Sequence, residues 1–277
     1  MSRLEETRPD ALGRARGLVS GRVSGARVQS RWLAPPSDLA HVVEALWFGR
    51  WDLPADEPHR MRLLGDPCIH VVVSWGESDL PPARIVGVWT RTWTNDLRLR
   101  GTARGFKLRA GAAGALLAAP SAVRDRVVPI AALFEGELWV DDLGPAEDDD
   151  ARAFERIGAW LRPRLRAGPD TELAVRACER LRSDGGLLRV DALASAVGLT
   201  ERGLQRLFRL HVGAPPKALI RRHRLQEAAA RLERRDATSL AELALSLGYA
   251  DQAHFARDWK DAVSVTPRVF ADEVHTR

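Results

Sequence analysis

Residues 189–213, RVDALASAVGLTERGLQRLFRLHVG, and residues 239–263, SLAELALSLGYADQAHFARDWKDAV, follow one pattern at a spacing of about fifty residues, an internal repeat visible without any alignment. In the first copy Val190, Leu193, Ala194 and Val197 share a helical stripe, and Gly198 supplies the left-handed residue that a tight turn needs. Thr200 then caps a second helix, where Leu204, Leu207 and Phe208 point inward and Arg202, Gln205, Arg206 and Arg209 are left on the opposite side. In the second copy Leu240, Leu243, Ala244 and Leu247 form the stripe, Gly248 the turn and Asp251 the cap. Phe255 and Trp259 anchor its second helix, Asp258 follows the inward spacing in part, and Gln252, Ala253, His254, Arg257 and Lys260 face outward. An apolar helix, a glycine turn and a helix with a free basic and amide face together make a helix-turn-helix.

A charged face on one helix reads as ordinary solvated surface; its repetition on the second helix of two units of the same pattern turns the reading toward double-stranded DNA. Arg and Gln suit that role because guanine presents paired acceptors in the major groove and adenine an acceptor beside a donor. Between the units, PPKALIRRHRLQEAAARLERR (215–235) reads as a spacer helix of about five turns, with prolines tolerated in its first turn. Two readers on one rigid spacer can enter successive major grooves, roughly 34 Å apart along the duplex. With TELAVRACERLRS before them, capped by Asp170 or Thr171, and a last helix after VTP, the region 170–277 is expected to be all-α with about seven helices.

Working outward, the composition changes. Eight of the nine Trp residues precede residue 161, whereas the remainder is dominated by Leu, Ala and Arg. In the first half IHVVVSW (69–75), ARIVGVWT (83–90) and TARGFKLRA (102–110) read as strands between turn clusters, AAGALLAAP and VPIAALFEG as short helices, and DLAHVVEALWFGRW (38–51) as ambiguous. The fold class is therefore α+β, with a mostly β amino-terminal domain carrying helical additions and an all-α carboxy-terminal domain. GPAEDDD (144–150) reads as a solvated linker, and 151–166, with Phe154, Ile157, Trp160 and Leu161 at helical spacing, as a connecting helix. The expected division is a flexible segment over 1–25, an effector-binding or dimerisation domain over 26–145, linker and connecting helix over 146–169, and the DNA-binding domain over 170–277.

A net charge of +5 permits a polyanionic partner without requiring one. No stretch reaches about 18 uncharged apolar residues and the charged amino terminus does not resemble a secretory signal, so a cytoplasmic protein without a membrane partner is expected. Cys68 and Cys178 form no CxxC motif. Cys68 and His70 lie two apart on one strand face, which raises metal ligation or thiol chemistry, but no further ligand is nominated; the plainer reading is a buried thiol and a hydrogen-bonded histidine, with no metal. GxSxG, Walker and HExxH motifs are missing, so neither an enzyme nor a cofactor is expected. Trp47, Trp51, Trp75, Trp89 and Trp93 are candidates to line an effector pocket or simply to fill the core; Arg91, Arg104, Lys107 and Arg109 would meet an acidic effector or protect strand edges.

GLTERGLQRLFRLHVGAPPKALIRRHRLQEAAARL followed by SLAELALSLGYADQAHFARDWKDAVSVTPRVF closely resembles the DNA-binding domain of the AraC/XylS family, most specifically over GYADQAHFARDWK and the VTP after it. The resemblance implies that Arg202, Gln205, Arg206 and Arg209, and then Gln252, His254, Arg257 and Lys260, form the reading faces. It also implies a transcription factor, activator or repressor, acting at an operator, with RNA polymerase, a small-molecule effector and a second copy of the chain as candidate partners. Gly203 inside the first reading helix, Ser264 where Gly is usual and Trp259 where Phe is usual depart from the family pattern. LAPPSDLAHVVEALWFGRWDLP, LLGDPCIHVVVSWG and ARGFKLRAGA resemble, more loosely, an uncharacterised sensory-type domain found ahead of such modules. Two alternatives remain open here: thiol sensing or repair through Cys68, and a ligand-independent architectural DNA binder.

Overall fold

The computed structural model describes residues 18–20, 27–63, 65–135, 150–234, 236 and 239–275. Nine strands come first: β1 (Leu18–Ser20), β2 (Val28–Leu33), β3 (Val43–Asp52), β4 (His59–Leu63), β5 (His70–Gly76), β6 (Ala83–Val86), β7 (Trp93–Leu97), β8 (Arg100–Leu108) and β9 (Val127–Pro129). A short helix α1 (Ala113–Leu116) lies between β8 and β9. After them come α2 (Asp150–Leu161), α3 (Pro169–Ser183), α4 (Val190–Ala196), α5 (Glu201–His211), α6 (Pro216–Arg234), α7 (Leu240–Ser246), α8 (Gln252–Val263) and α9 (Pro267–His275). A mostly β half followed by a helical half is the expected class, and α3 to α9 are the seven expected helices.

The strands form a six-stranded antiparallel sheet in the order β2-β3-β8-β5-β6-β9 and a three-stranded one in the order β1-β4-β7. β8 pairs with β3 on one edge and with β5 on the other, its faces are covered by α2 and by the three-stranded sheet, and its burial runs almost unbroken from Gly101 to Leu108. On one face Leu46, Phe48, Val71, Val73 and Phe106 meet Phe154, Ile157 and Trp160 of α2. On the other, Trp47 and Trp51 lie flat over Gly105 and Gly101, where a Cβ would stand 2.2 Å from either ring. There Leu97 of β7 closes over Trp51, Val72 and Ala103.

Several local expectations change. The ambiguous stretch 38–51 divides into a turn and then β3. VPIAALFEG, expected as a helix, starts as β9, pairing with β6, and only then makes a single 3-10 turn at Ile130–Ala132, because Val127 and Val128 find an open sheet edge. The strand in 83–90 stops at Val86. Arg104 and Lys107 are not edge charges: both lie in central β8, and their cost of burial is met by Asp150 at 2.7 Å and by Asp66 at 3.4 Å with Glu44 at 3.6 Å. Gly168, not Asp170 or Thr171, caps α3, and the Thr171 hydroxyl is spent on His211 instead. The linker reading of GPAEDDD, apart from Asp150, and most of the segment 1–25 lie outside the described residues.

Two apolar cores carry the helical half, beside the smaller cluster around Trp51 between the sheets. The first runs from the sheet through α2, α3, α4 and α5 to Leu219 and Ile220 at the start of α6. The second holds Leu225, Ala228 and Leu232 of α6 with α7, α8 and Phe270. Close approach of α3 and α5 to the segment after β8 depends on glycines: a Cβ on Gly111 (φ +96°) would fall 2.5 Å from the Ala174 backbone, and one on Gly114 2.4 Å from the Leu210 carbonyl oxygen. Arg109 adds an ion pair to Glu179 of α3 at 3.0 Å.

Candidate nucleic-acid interface

Each helix-turn-helix is built locally, as the repeat predicts. Gly198 and Gly248 turn at φ +72° and +74°. The Thr200 hydroxyl accepts from the Gly203 amide at 3.1 Å, and the Asp251 carboxylate accepts from the His254 amide at 2.7 Å, so both candidate reading helices, α5 and α8, begin at capped ends. Gly203 therefore sits in the first turn, where its amide completes the cap. Leu204, Leu207 and Phe208 are buried under α5, and Phe255, Trp259, Ala262 and Val263 under α8.

The opposite faces are open. Arg202, Gln205, Arg206 and Arg209 are all exposed, as are Gln252, His254, Arg257 and Lys260. Elsewhere several exposed and half-buried arginines are engaged: Arg162 with Asp38, Arg189 with Asp191, Arg221 with Asp258 and Arg231 with Glu227. Among the described residues no carboxylate pairs with Arg202, Arg206, Arg209, Arg257 or Lys260, which leaves their donors for an external acceptor. His254 is partly held, its ring edge-on to Tyr249 at 5.3 Å.

The spacer helix α6 does more than separate the readers. Arg221 grips α8, its Nε donating to the Asp258 carboxylate at 2.5 Å and its Nη2 to the Asp258 carbonyl, while the Tyr249 hydroxyl donates to the other carboxylate oxygen at 2.7 Å. Burial and Asp258 together push the Tyr249 phenol above its ordinary value, keeping it a donor. One residue on, Arg222 donates to the Gly65 carbonyl of the amino-terminal half. Arg224 donates to the carbonyls of Leu188 and Gly248 and stacks over Tyr249. Sequence reasoning took this helix as a spacer; the signal it carried was the basic run 221–224 opposite the chain's one tyrosine.

The tryptophan candidates do not converge. Register puts Trp47 and Trp51 on one face of β3, and Trp75, opposite Thr102, on the other face, under the Arg104 guanidinium at 5.1 Å. Trp89 and Trp93 pair with each other at 6.0 Å. Cys68 is buried 3.8 Å from Glu44, and burial with the neighbouring Asp66 carboxylate pushes its thiol well above the ordinary range. That is the opposite of the electropositive setting of a reactive thiolate, so thiol sensing and repair find no support. His70 accepts from Trp47 Nε1 at 3.1 Å through Nδ1, which leaves Nε2 to donate to Asp66. Among the described residues no group of three His, Cys, Asp or Glu side chains is placed to hold a metal, and no helix is long and apolar enough to cross a membrane.

Residues 193–273 match a family described as a helix-turn-helix domain, and residues 31–129 match a domain of unknown function, DUF6597. The probable transcription factor PqrA of Proteus vulgaris is 33% identical over 85 residues, which cover 31% of this chain and 69% of PqrA. The HTH-type transcriptional regulator MtrA of Neisseria gonorrhoeae is 31% identical over 84 residues, 30% of this chain but only 28% of MtrA. Among solved structures, a regulator with an AraC-type DNA-binding domain from Chromobacterium violaceum covers 42% of this chain and 96% of its own, at 23% identity and a TM-score of 0.34. ToxT from Vibrio cholerae covers 83% of this chain and 97% of its own, at 10% identity and a TM-score of 0.41.

Proposed function

Because the chain belongs to the AraC/XylS family of helix-turn-helix DNA-binding transcriptional regulators, we propose that it reads an operator with two blocks, one per unit, in successive major grooves on one side of the duplex. Arg202, Gln205, Arg206 and Arg209 read the first block, and Gln252, His254, Arg257 and Lys260 the second. Thr200 and Asp251 shape the entering ends and leave the first-turn amides directed at the phosphates. The observation that carries this reading is the pair of capped helices in tandem, whose outward arginines have no carboxylate partner among the described residues. The amino-terminal domain modulates the readers in response to a small molecule, with self-association and contact with RNA polymerase as further elements of the proposal. Its division follows the boundaries read above, with 26–145 as the sensory part and 170–277 as the DNA-binding part.

Selection of bound sequences from a random duplex library with full-length protein, at two salt concentrations, tests this. The expected product is a motif of two blocks about one helical turn apart. Arg206→Ala and Arg257→Ala should each relax one block, losing about 1–3 kcal/mol of discrimination at one base position. A single block, or uniform loss on all sequences, overturns the two-reader reading.

A further inference from the structure

Three cations are sunk into the six-stranded sheet, and the protein neutralises two of them. Arg104 has Asp150, and Lys107 has Asp66 and Glu44. Arg84 of β6 is 6% exposed, yet its guanidinium meets only neutral acceptors, the Ser74 hydroxyl at 2.5 Å and the Pro81 carbonyl at 2.8 Å, both through Nη1. Among the described residues no carboxylate pairs with it, and its Nε is buried without a hydrogen-bond partner. Burial lowers its pKa to about 10, so it keeps its charge at neutral pH. A buried charge without a counter-charge is destabilising, and folded chains avoid it unless a partner arrives from outside.

Register fixes where this charge points. Arg84 stands opposite Val72, Val72 opposite Gly105, and Gly105 under Trp47, so Arg84 shares the face that the three-stranded sheet covers. There Trp51, Val72 and Ala103 are buried together with Leu97 of β7, and Arg84 lies beside Val72 at the border of this core. His59, directly opposite Leu97 on β4, has a buried Nε2 with no hydrogen-bond partner among the described residues. Buried nitrogens without a partner among the described residues thus lie on both facing sheets.

The geometry points to an anion site at Arg84, on the face of the six-stranded sheet that the three-stranded sheet covers, in which the guanidinium takes the acid group of a small carboxylate. This deepens the sensory role given above to the amino-terminal domain, and rests on that reading only for its regulatory meaning. A carboxylate supplies the charge-assisted acceptor that Ser74 and Pro81 cannot, and the unused Nε is a natural second donor to it.

The test is thermal unfolding of the full-length protein with octanoate or 3-phenylpropionate, each against its uncharged amide at equal ionic strength. At least one carboxylate should raise Tm saturably while its amide does not. Arg84→Met should abolish the response and, without carboxylate, melt no lower than wild type, because it removes an uncompensated buried charge. Arg84→Lys keeps the charge without the planar fork and should weaken apparent affinity about tenfold or more, so the proposal stays testable if the Met variant fails to fold. If neither carboxylate outperforms its amide, or if both variants respond like wild type, the site does not exist. A lower Tm for Arg84→Met with no carboxylate response in wild type identifies Arg84 as a hairpin staple and also overturns the proposal. DNA affinity is measured in parallel: carboxylate binding that depends on Arg84 but leaves DNA affinity unchanged would uphold the site and defeat the sensory reading instead.

Discussion

Behind α5, Leu204, Phe208 and Val212 belong to a core that continues through α3 into the sheet, whereas behind α8, Phe255 and Trp259 close a separate core with Leu225, Leu247 and Phe270. The two readers share a turn, a cap and an apolar stripe, yet the first is completed by the amino-terminal half and the second is complete in itself. Apolar burial is the main favourable contribution to folding, so a helix pair whose buried face is partly covered by another domain is not autonomous. Under the proposed regulation, a change in the amino-terminal domain reaches the first reader through packing, and the second along α6, where Arg222 holds Gly65 and Arg221 holds Asp258, and across the Gly248 turn, where Leu188 packs and Arg224 bridges the Leu188 and Gly248 carbonyls.

The largest expected effect comes from removing that cover. A fragment of residues 170–277 should keep α7 to α9 folded against α6 while α3 to α5 lose fixed structure, seen as dispersed amide resonances for the second unit and collapsed ones for the first. Two fully dispersed units would show that the first folds without the amino-terminal half. In the full chain the same asymmetry should appear as two unfolding steps that respond separately. Trp259→Ala, which empties the centre of the second core, should lower only the second by about 3–5 kcal/mol. Gly111→Ala should lower only the first, by about 2–4 kcal/mol, since it adds both a left-handed β-carbon and an overlap with the Ala174 backbone. Denaturant curves followed separately by resonances of each unit would check both, and a shift of both steps by either variant would mean a single cooperative body.

These features were not equally legible in the sequence. Gly198 with Thr200 and Gly248 with Asp251 specify turns and caps through contacts three residues long, so the readers and their exposed faces follow from local pattern alone. The partners of Arg104 and Lys107 lie dozens of residues away, and nothing local shows that β8 becomes central rather than an edge. Gly111 and Gly114 look like loop residues until α3 and α5 lie on top of them. The tryptophans were visible as a group, but strand register, which the sequence does not state, sends Trp75 to the face opposite Trp47 and Trp51.

A smaller effect should appear with pH, again on one side only. His211, at the end of α5, makes a hydrogen bond with Thr171 beside Gly114, and burial holds its pKa below the ordinary value. The folded state therefore favours the neutral ring. Its contribution is complete above the unfolded value of about 6.5 and is lost as pH falls through that value toward the folded one. Asp66, in the same unit, is held below the ordinary carboxylate range by Lys107 and His70, with its desolvation outweighed, so its own loss comes at lower pH. Between pH 8 and 5 the first step should fall, and His211→Gln should flatten that slope; an equal slope in the variant would assign the effect to other groups.

The smallest expected change is a gain. Ser264 ends α8 with φ +66° and ψ 0°, its amide donating to the Lys260 carbonyl at 2.8 Å, so it closes the second reader in the left-handed region where a β-carbon is unfavourable. Glycine removes that cost, about 1 kcal/mol or somewhat more, but adds freedom to the unfolded chain, which takes part of the gain back. Ser264→Gly should therefore stabilise the second step by about 0.5–1 kcal/mol and leave the first unmoved. Because Ser264 is exposed and follows a core sealed by Trp259 and Val263, no packing change competes with the backbone effect. A rise in both steps would mean that α6 transmits stability between the units, and the separation of the two cores would then describe geometry but not energetics.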